Sequence, residues 1–279
     1  MARAPTVPRK SSLTSSTNAQ TERTAKRIAR QQKKLEQELV NEMTAKVLPN
    51  AGKMPKLSDL RKLEPLTDTQ AEFFRAWYEA PEDNIGFILS GPAGVGKTFL
   101  AMFFALQEIL NNDTVFKKVI IIRGTAQVSN MGFLPGDIDL KIQPFMAPYI
   151  QSCTDLTKNS HAFEKLQSTG KLEFMSTSFL RGLNFENCIV YVDEASSLTW
   201  HEINTICTRI SKNTKLIVSG SSSQNDLVYS RNEKSGWKDF LNVSDKLSEF
   251  RRFNFTSNDI VRSGFTKSWV IACEQFGLS

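Results

Sequence analysis

The apolar run Ile85-Gly86-Phe87-Ile88-Leu89-Ser90 leads directly into Gly91-Pro92-Ala93-Gly94-Val95-Gly96-Lys97-Thr98, then into Phe99-Leu100-Ala101-Met102. The order is strand, glycine loop, helix, with the pattern GxxxxGK[ST] at the turn. No other stretch constrains the fold as much, because strand and helix must meet at a backbone curl that only glycine-rich sequence can form. Such a curl aims successive N–H groups at an anion, and the helix N-terminus adds the positive end of its dipole. Gly91, Pro92, Ala93, Gly94, Val95, Gly96, Lys97, Thr98 and Phe99 are therefore the expected nucleotide-binding residues. Lys97 is expected on the β- and γ-phosphates, and the Thr98 hydroxyl on Mg²⁺. A nucleoside triphosphate, ATP, with Mg²⁺ is the expected ligand.

A second constellation is Cys188-Ile189-Val190-Tyr191-Val192-Asp193-Glu194-Ala195. A wholly apolar run ending in two acids reads as a buried strand of a parallel sheet, presenting carboxylates at the edge where ligands bind. Asp193 is expected to hold Mg²⁺ beside Thr98, and Glu194 to orient or deprotonate an attacking water. Strand-like runs at Ile85–Ser90, Lys118–Arg123, Leu172–Ser176, Cys188–Asp193, Leu216–Ser219 and Glu249–Phe255 alternate with helical patterns. The helices are placed at Thr69–Tyr78, Thr98–Asn111, His161–Gln167, Thr199–Arg209 and Val261–Glu274. The alternation predicts an α/β fold, a mostly parallel sheet with helices on both faces. In the Ser/Gly-rich segment after the fifth strand, Gln224 is placed to meet a γ-phosphate or the water.

Charge is unevenly spread. The whole chain carries +6, yet residues 1–62 hold 14 lysines and arginines against 5 acids, leaving the remainder at −3. A basic arm on a near-neutral body suits a polyanion, most simply nucleic acid, or serves assembly as a solvated helix. Residues 1–18 read as a disordered basic tail and 19–62 as an N-terminal helix and linker, with Ile28, Leu35, Leu39, Met43 and Val47 near helical spacing. Residues 63–279 form the expected catalytic domain. No run is long and apolar enough to cross a membrane, and the start lacks the apolar stretch of a signal peptide. The 4 scattered cysteines and 2 histidines suit a reducing cytoplasm and argue against a histidine zinc site.

Six segments together carry a family resemblance: Pro65-Leu66-Thr67-Asp68-Thr69-Gln70, the loop 91–98, Gly132-Phe133-Leu134-Pro135-Gly136-Asp137, Phe179-Leu180-Arg181-Gly182, Val192-Asp193-Glu194-Ala195 and Thr208-Arg209-Ile210. The chain from residue 64 onward resembles the PhoH-like ATPases. Asn232–Phe240 and Asp259–Ser263 are most similar to tailed-bacteriophage members. The resemblance implies a single RecA-like core, similar to the first motor domain of superfamily 1 helicases, with ATPase activity linked to RNA. It places Gln70 at the adenine-reading position, Gly94, Lys97 and Thr98 on phosphates and metal, Asp193 and Glu194 as metal and catalytic acids, and Gln224 as γ-phosphate sensor. Two positions depart from the family pattern. Ser196 stands where Gln is usual, and Ser221 where an Asp is usual. The loss of a charge at Ser221 predicts slower hydrolysis.

One motor domain needs its stabilising arginine from elsewhere. A ring of identical subunits, a hexamer with nucleotide at each interface, is the expected assembly. Arg123, Arg181, Arg209 and Arg262 are candidate fingers, with Arg209 and Arg262 preferred because they lie at helix ends. The segment Arg123–Leu134, with Phe133, and Lys141 are candidates to grip single-stranded nucleic acid, RNA rather than DNA. The competing reading is a nucleotide-gated nucleic-acid-binding assembly with weak turnover. A small-molecule kinase fits less well, since no arginine-rich lid is visible.

Overall fold

The computed structural model of the protein describes residues 52–81, 83–124, 138–180, 182–221 and 234–277, the backbone alone over 138–143. The expected tail and N-terminal helix up to residue 51, Arg181, Gln224, most of the candidate nucleic-acid segment (125–134) and the side chain of Lys141 lie outside the described residues.

Six strands, β1 (Ile85–Ser90), β2 (Lys118–Arg123), β3 (Leu172–Ser176), β4 (Cys188–Asp193), β5 (Thr214–Gly220) and β6 (Phe250–Asn254), form one sheet in the order β3-β2-β4-β5-β1-β6. Every pairing is parallel. Side chains alternate between two apolar layers, as a period of two demands when both faces are covered. Phe87, Leu89, Ile121, Ile189, Tyr191 and Ile217 enter one layer, while Ile88, Ile120, Ile122, Val190, Val192 and Val218 enter the other. The first layer is closed by α1 (Asp68–Glu79), α2 (Lys97–Leu110), α3 (Ile138–Thr157) and α4 (Ala162–Ser168). The second is closed by α5 (Trp200–Cys207) and α6 (Trp237–Ser244). The last helix, α7 (Gly264–Gln275), has no buried residue.

Local sequence explains where several helices start. The Thr67 hydroxyl accepts from Gln70 N at the start of α1. Thr199 and Glu202 form a reciprocal capping box at the start of α5. Aromatic packing joins α1 and α2 to the sheet, with Phe73 set edge-on to Phe87 and to Phe104 at centroid distances of 5.7 and 5.1 Å.

Four strands match the sequence reading to the residue, and β5 and β6 differ by one or two positions at their ends. Two helices, α3 and α6, were not expected. In α3, Pro144 and Pro148 interrupt the pattern that marks a helix. They are four residues apart, hence on one face, and both are exposed. The opposite face buries Tyr149, Cys153 and Leu156. The last helix begins at Gly264, three residues later than its apolar pattern suggested, because Ile260 and Val261 are committed to packing on the glycine loop.

Candidate nucleotide site

The glycine loop joins the C-terminal end of β1 to the N-terminus of α2. Gly94 and Gly96 take φ of 91° and 89°, the left-handed region where a β-carbon is strained. Gly91 is required by close approach, since a β-carbon there would lie 2.5 Å from the carbonyl oxygen of Phe255. Two carbonyls of the loop are held from outside. Gln70 Nε2 donates to Val95 O at 3.2 Å, and Val261 N donates to Gly94 O at 3.1 Å. Among the described residues, the N–H groups from Ala93 to Thr98 donate to no protein partner. This row of unspent donors at a helix N-terminus is an anion cradle and fits a polyphosphate. Lys97 Nζ folds back along the loop, donating to Gly91 O at 2.6 Å and Pro92 O at 2.8 Å. Burial lowers the Lys97 pKa below the ordinary lysine value, with Glu194 and then Asp193 partly opposing the shift. Both acids thus act electrostatically on the loop lysine.

Asp193 ends β4 and is buried at 4% exposure. Four donors converge on its carboxylate. Tyr149 Oη donates to Oδ2 at 2.8 Å, and Thr98 Oγ1 to the same oxygen at 3.4 Å. Ser219 Oγ donates to Oδ1 at 2.7 Å, and Glu194 N to Oδ1 at 3.0 Å. Tyr191 Oη lies 3.0 Å from Ser219 Oγ, and because Ser219 spends its only proton on Asp193, Tyr191 must donate. Thr98 and Asp193, from two elements, thus offer two neighbouring oxygens. That suits Mg²⁺, which takes one or two protein oxygens and the rest from water and phosphate. Among the described residues no cluster of three or more His, Cys, Asp or Glu forms an all-protein metal cage, in keeping with that sparse donor set. Glu194 follows directly, in the left-handed conformation with φ of 53°, an uncommon geometry for a non-glycine residue and one that clusters at functional sites.

Sequence reading missed Tyr149, Ser219 and the local role of Arg123. Arg123 ends β2 in register with Asp193. Burial works against its charge, but Tyr149, Asp193 and Glu194 more than offset this, including a hydrogen bond with Tyr149, and its pKa lies above the ordinary arginine value. Its guanidinium also lies 5.8 Å from the Phe145 ring centroid. Burial, with Asp193 adding to it, keeps the Tyr149 phenol protonated far above its usual range.

The other expected residues separate. Gln70 is buried at 3% exposure and sits under the loop, its Oε1 accepting from Leu66 N at 2.9 Å while Nε2 holds Val95 O. Arg262 lies on the same chain's loop, its Cδ 3.5 Å from where a β-carbon on Gly94 would be. Arg209 is not brought to this site. It follows α5 at the edge of the sheet where the strands begin, and its Nε and Nη1 donate to Leu180 O and Thr205 O at 2.7 and 3.0 Å. The two family departures touch each other, with Ser221 N donating to Ser196 Oγ at 3.4 Å and both residues buried at 3% exposure.

A parallel sheet whose loop strand and acid strand are separated by one intervening strand, with Lys97, Thr98, Asp193 and Glu194 meeting at its C-terminal edge, defines a P-loop protein of the RecA-like class. The family model described as PhoH-like protein matches residues 62–274, and the chain belongs to that family. A PhoH-like protein of Synechocystis is 36% identical over 138 residues, 49% of this chain and 41% of that protein. One of Bacillus subtilis is 32% identical over 176 residues, 62% of this chain and 53% of that protein. The chain thus spans about half the length of the curated relatives it matches. The solved large terminase of a thermophilic bacteriophage overlaps with a TM-score of 0.44 at 15% identity, covering 74% of this chain and 50% of that one.

Proposed function

We propose that the protein binds ATP with Mg²⁺ on the glycine loop, hydrolyses it, and uses the cycle to move single-stranded nucleic acid, RNA rather than DNA, as a hexameric ring. The observation that carries the reading is the Asp193 carboxylate beside Thr98, with Lys97 under the influence of both Glu194 and Asp193. The loop N–H groups and Lys97 bind and orient the phosphates, and Thr98 and Asp193 hold the metal, which when bound neutralises phosphate charge. Glu194 orients the attacking water and accepts its proton. Tyr149 and Ser219 hold Asp193 in place, and Arg123 supports that charge from the neighbouring strand. The basic N-terminal region supplies loose contact with the nucleic-acid backbone, and the segment after β2 grips the strand. Two tests apply. Lys97→Ala and Glu194→Gln should each abolish phosphate release, and single-stranded RNA should raise wild-type turnover while mass measurement with Mg²⁺ and nucleotide finds six subunits. Turnover untouched by both variants sinks the enzyme reading.

A second reading is supported by the Ser196–Ser221 contact, which sits where the family pattern has an amide and a carboxylate. It makes the protein a nucleotide-gated binding assembly in which ATP is held and released slowly. Tight RNA binding that requires ATP, with turnover insensitive to RNA, would favour it.

A further inference from the structure

The chain leaving β6 forms a strap over the glycine loop. Phe255 N donates to Ser90 O at 2.7 Å, and Val261 N to Gly94 O at 3.1 Å. Between them, Thr256 and Asp259 close a capping box, with Thr256 N donating to the Asp259 carboxylate at 2.8 Å. The hydroxyls of Thr67 and Thr69, at the start of α1, also favour the charged form of the Asp259 carboxylate. Gln70, one residue beyond, grips Val95 from the same side. Loop, strap and helix start are thus one bonded unit within a single subunit.

Arg262 is the next residue after the Val261 tether. Its stem lies over Gly94, bracketed by Ile260 Cγ2 and Thr266 Cγ2 at 3.4 and 3.6 Å from the β-carbon position. Lys267, in the first turn of α7, is spent on Asn258 O of the strap at 2.8 Å. The Arg262 guanidinium is exposed and, among the described residues, has no hydrogen-bond or ion-pair partner. The Val261–Gly94 bond holds the backbone beside Arg262 against the loop of the same chain. The planar fork of the arginine suits phosphate oxygens.

We propose that Arg262 binds the phosphates of the nucleotide on its own chain's loop, rather than completing a neighbour's site as a finger. This rests on the nucleotide-binding reading of the loop.

The test uses full-length protein and fluorescently labelled ADP and ATP. Arg262→Ala should weaken binding of both by about tenfold or more, with Arg262→Lys intermediate, as expected for one lost charge-assisted contact. The thermal midpoint should hold, since the side chain is exposed. Arg262→Ala protein is then mixed with Lys97→Ala protein, whose subunits carry an intact Arg262 but a crippled loop. The mixture should turn over no faster than the sum of its parts. Recovery of activity on mixing, or wild-type nucleotide affinity in Arg262→Ala, would overturn the proposal. If Lys97→Ala itself binds nucleotide like the wild type, the loop is not the phosphate site, and both the proposal and the reading beneath it fall.

Discussion

Replacing Tyr149 with Phe removes one oxygen and leaves the ring in a site with 0% exposure. The fold should tolerate the change, because shape and volume are kept. What disappears is the 2.8 Å hydrogen bond to Asp193 Oδ2, together with the interaction of the hydroxyl with Arg123. Oδ1 keeps Ser219 and the Glu194 N–H at 2.7 and 3.0 Å, but Oδ2 is left with Thr98 alone at 3.4 Å. The carboxylate can then rotate about its terminal bond, on the side that faces Thr98, the proposed metal ligand. A hydrogen bond to a charged group contributes about 1.5–3 kcal/mol. If that energy holds Asp193 in its working orientation, its loss lowers kcat by about tenfold to a hundredfold. The assay is steady-state phosphate release across a Mg²⁺ titration, with labelled-ADP affinity measured without metal as control. The expected outcome is a lower kcat and a higher Mg²⁺ requirement, with metal-free ADP affinity unchanged. Because burial keeps the phenol protonated well above its ordinary value of 10.0, the deficit should be constant across neutral and alkaline assays. A variant within about twofold of wild type in kcat and Mg²⁺ dependence would refute the claim that Tyr149 positions the metal carboxylate.

Three further outcomes are expected. The double variant Ser196→Gln/Ser221→Asp, changing both members of the contact, should turn over several-fold faster in Mg²⁺-dependent phosphate release; an unchanged rate would mean these serines do not limit hydrolysis. Burial pushes the thiols of Cys153, Cys188 and Cys207 up to about 12, 11 and 11, so iodoacetamide at mildly alkaline pH should mark Cys273 first in peptide mapping, and early labelling of Cys153 or Cys188 would contradict the packing of those helices and strands. Burial alone would raise the Asp259 pKa, but hydrogen bonds from Thr256, Thr67 and Thr69 bring it below the ordinary value. A lowered carboxylate pKa stabilises the fold above the unfolded value, about 3.9, and that contribution is lost as pH falls through the folded value. The melting difference between wild type and Asp259→Asn should therefore be largest near neutrality and vanish in strong acid; a difference constant with pH would exclude the linkage.

The chemistry carried by contiguous residues was legible in the sequence. The loop 91–98 and the acids 193–194 announce themselves because an apolar run must end where they begin, and four strands are read to the residue for the same reason. Tyr149 was not legible. It lies on a helix broken in pattern by Pro144 and Pro148, and nothing local marks one tyrosine among apolar neighbours as facing Asp193, 44 residues away. The partnership exists only because β2 and β4 are neighbours and α3 packs across their ends. Arg262 was legible as a charge near a helix start, but its direction was not. The helical pattern was read from Val261 onward, whereas contact with Gly94 keeps Val261 out of α7 and sets the stem of the arginine beside its own loop.

The strand between the two motifs explains why the site closes. β5 separates β1 from β4, so Thr98 and Asp193 must meet across its C-terminal end. A long side chain there would keep them apart. The chain places Ser219 and Gly220 at that end. Ser219, at 0% exposure, is short enough to sit beneath Asp193 and polar enough to donate to it. Gly220 accepts from Gly91 N at 3.1 Å through its carbonyl, while a β-carbon on it would meet the Trp237 ring at 2.9 Å. The Ser-Gly pair that looked like the start of an ordinary polar loop is therefore part of the junction that brings loop and acid strand together. Bulk at Ser219 would press on Asp193 itself, and bulk at Gly220 would press on the Trp237 ring.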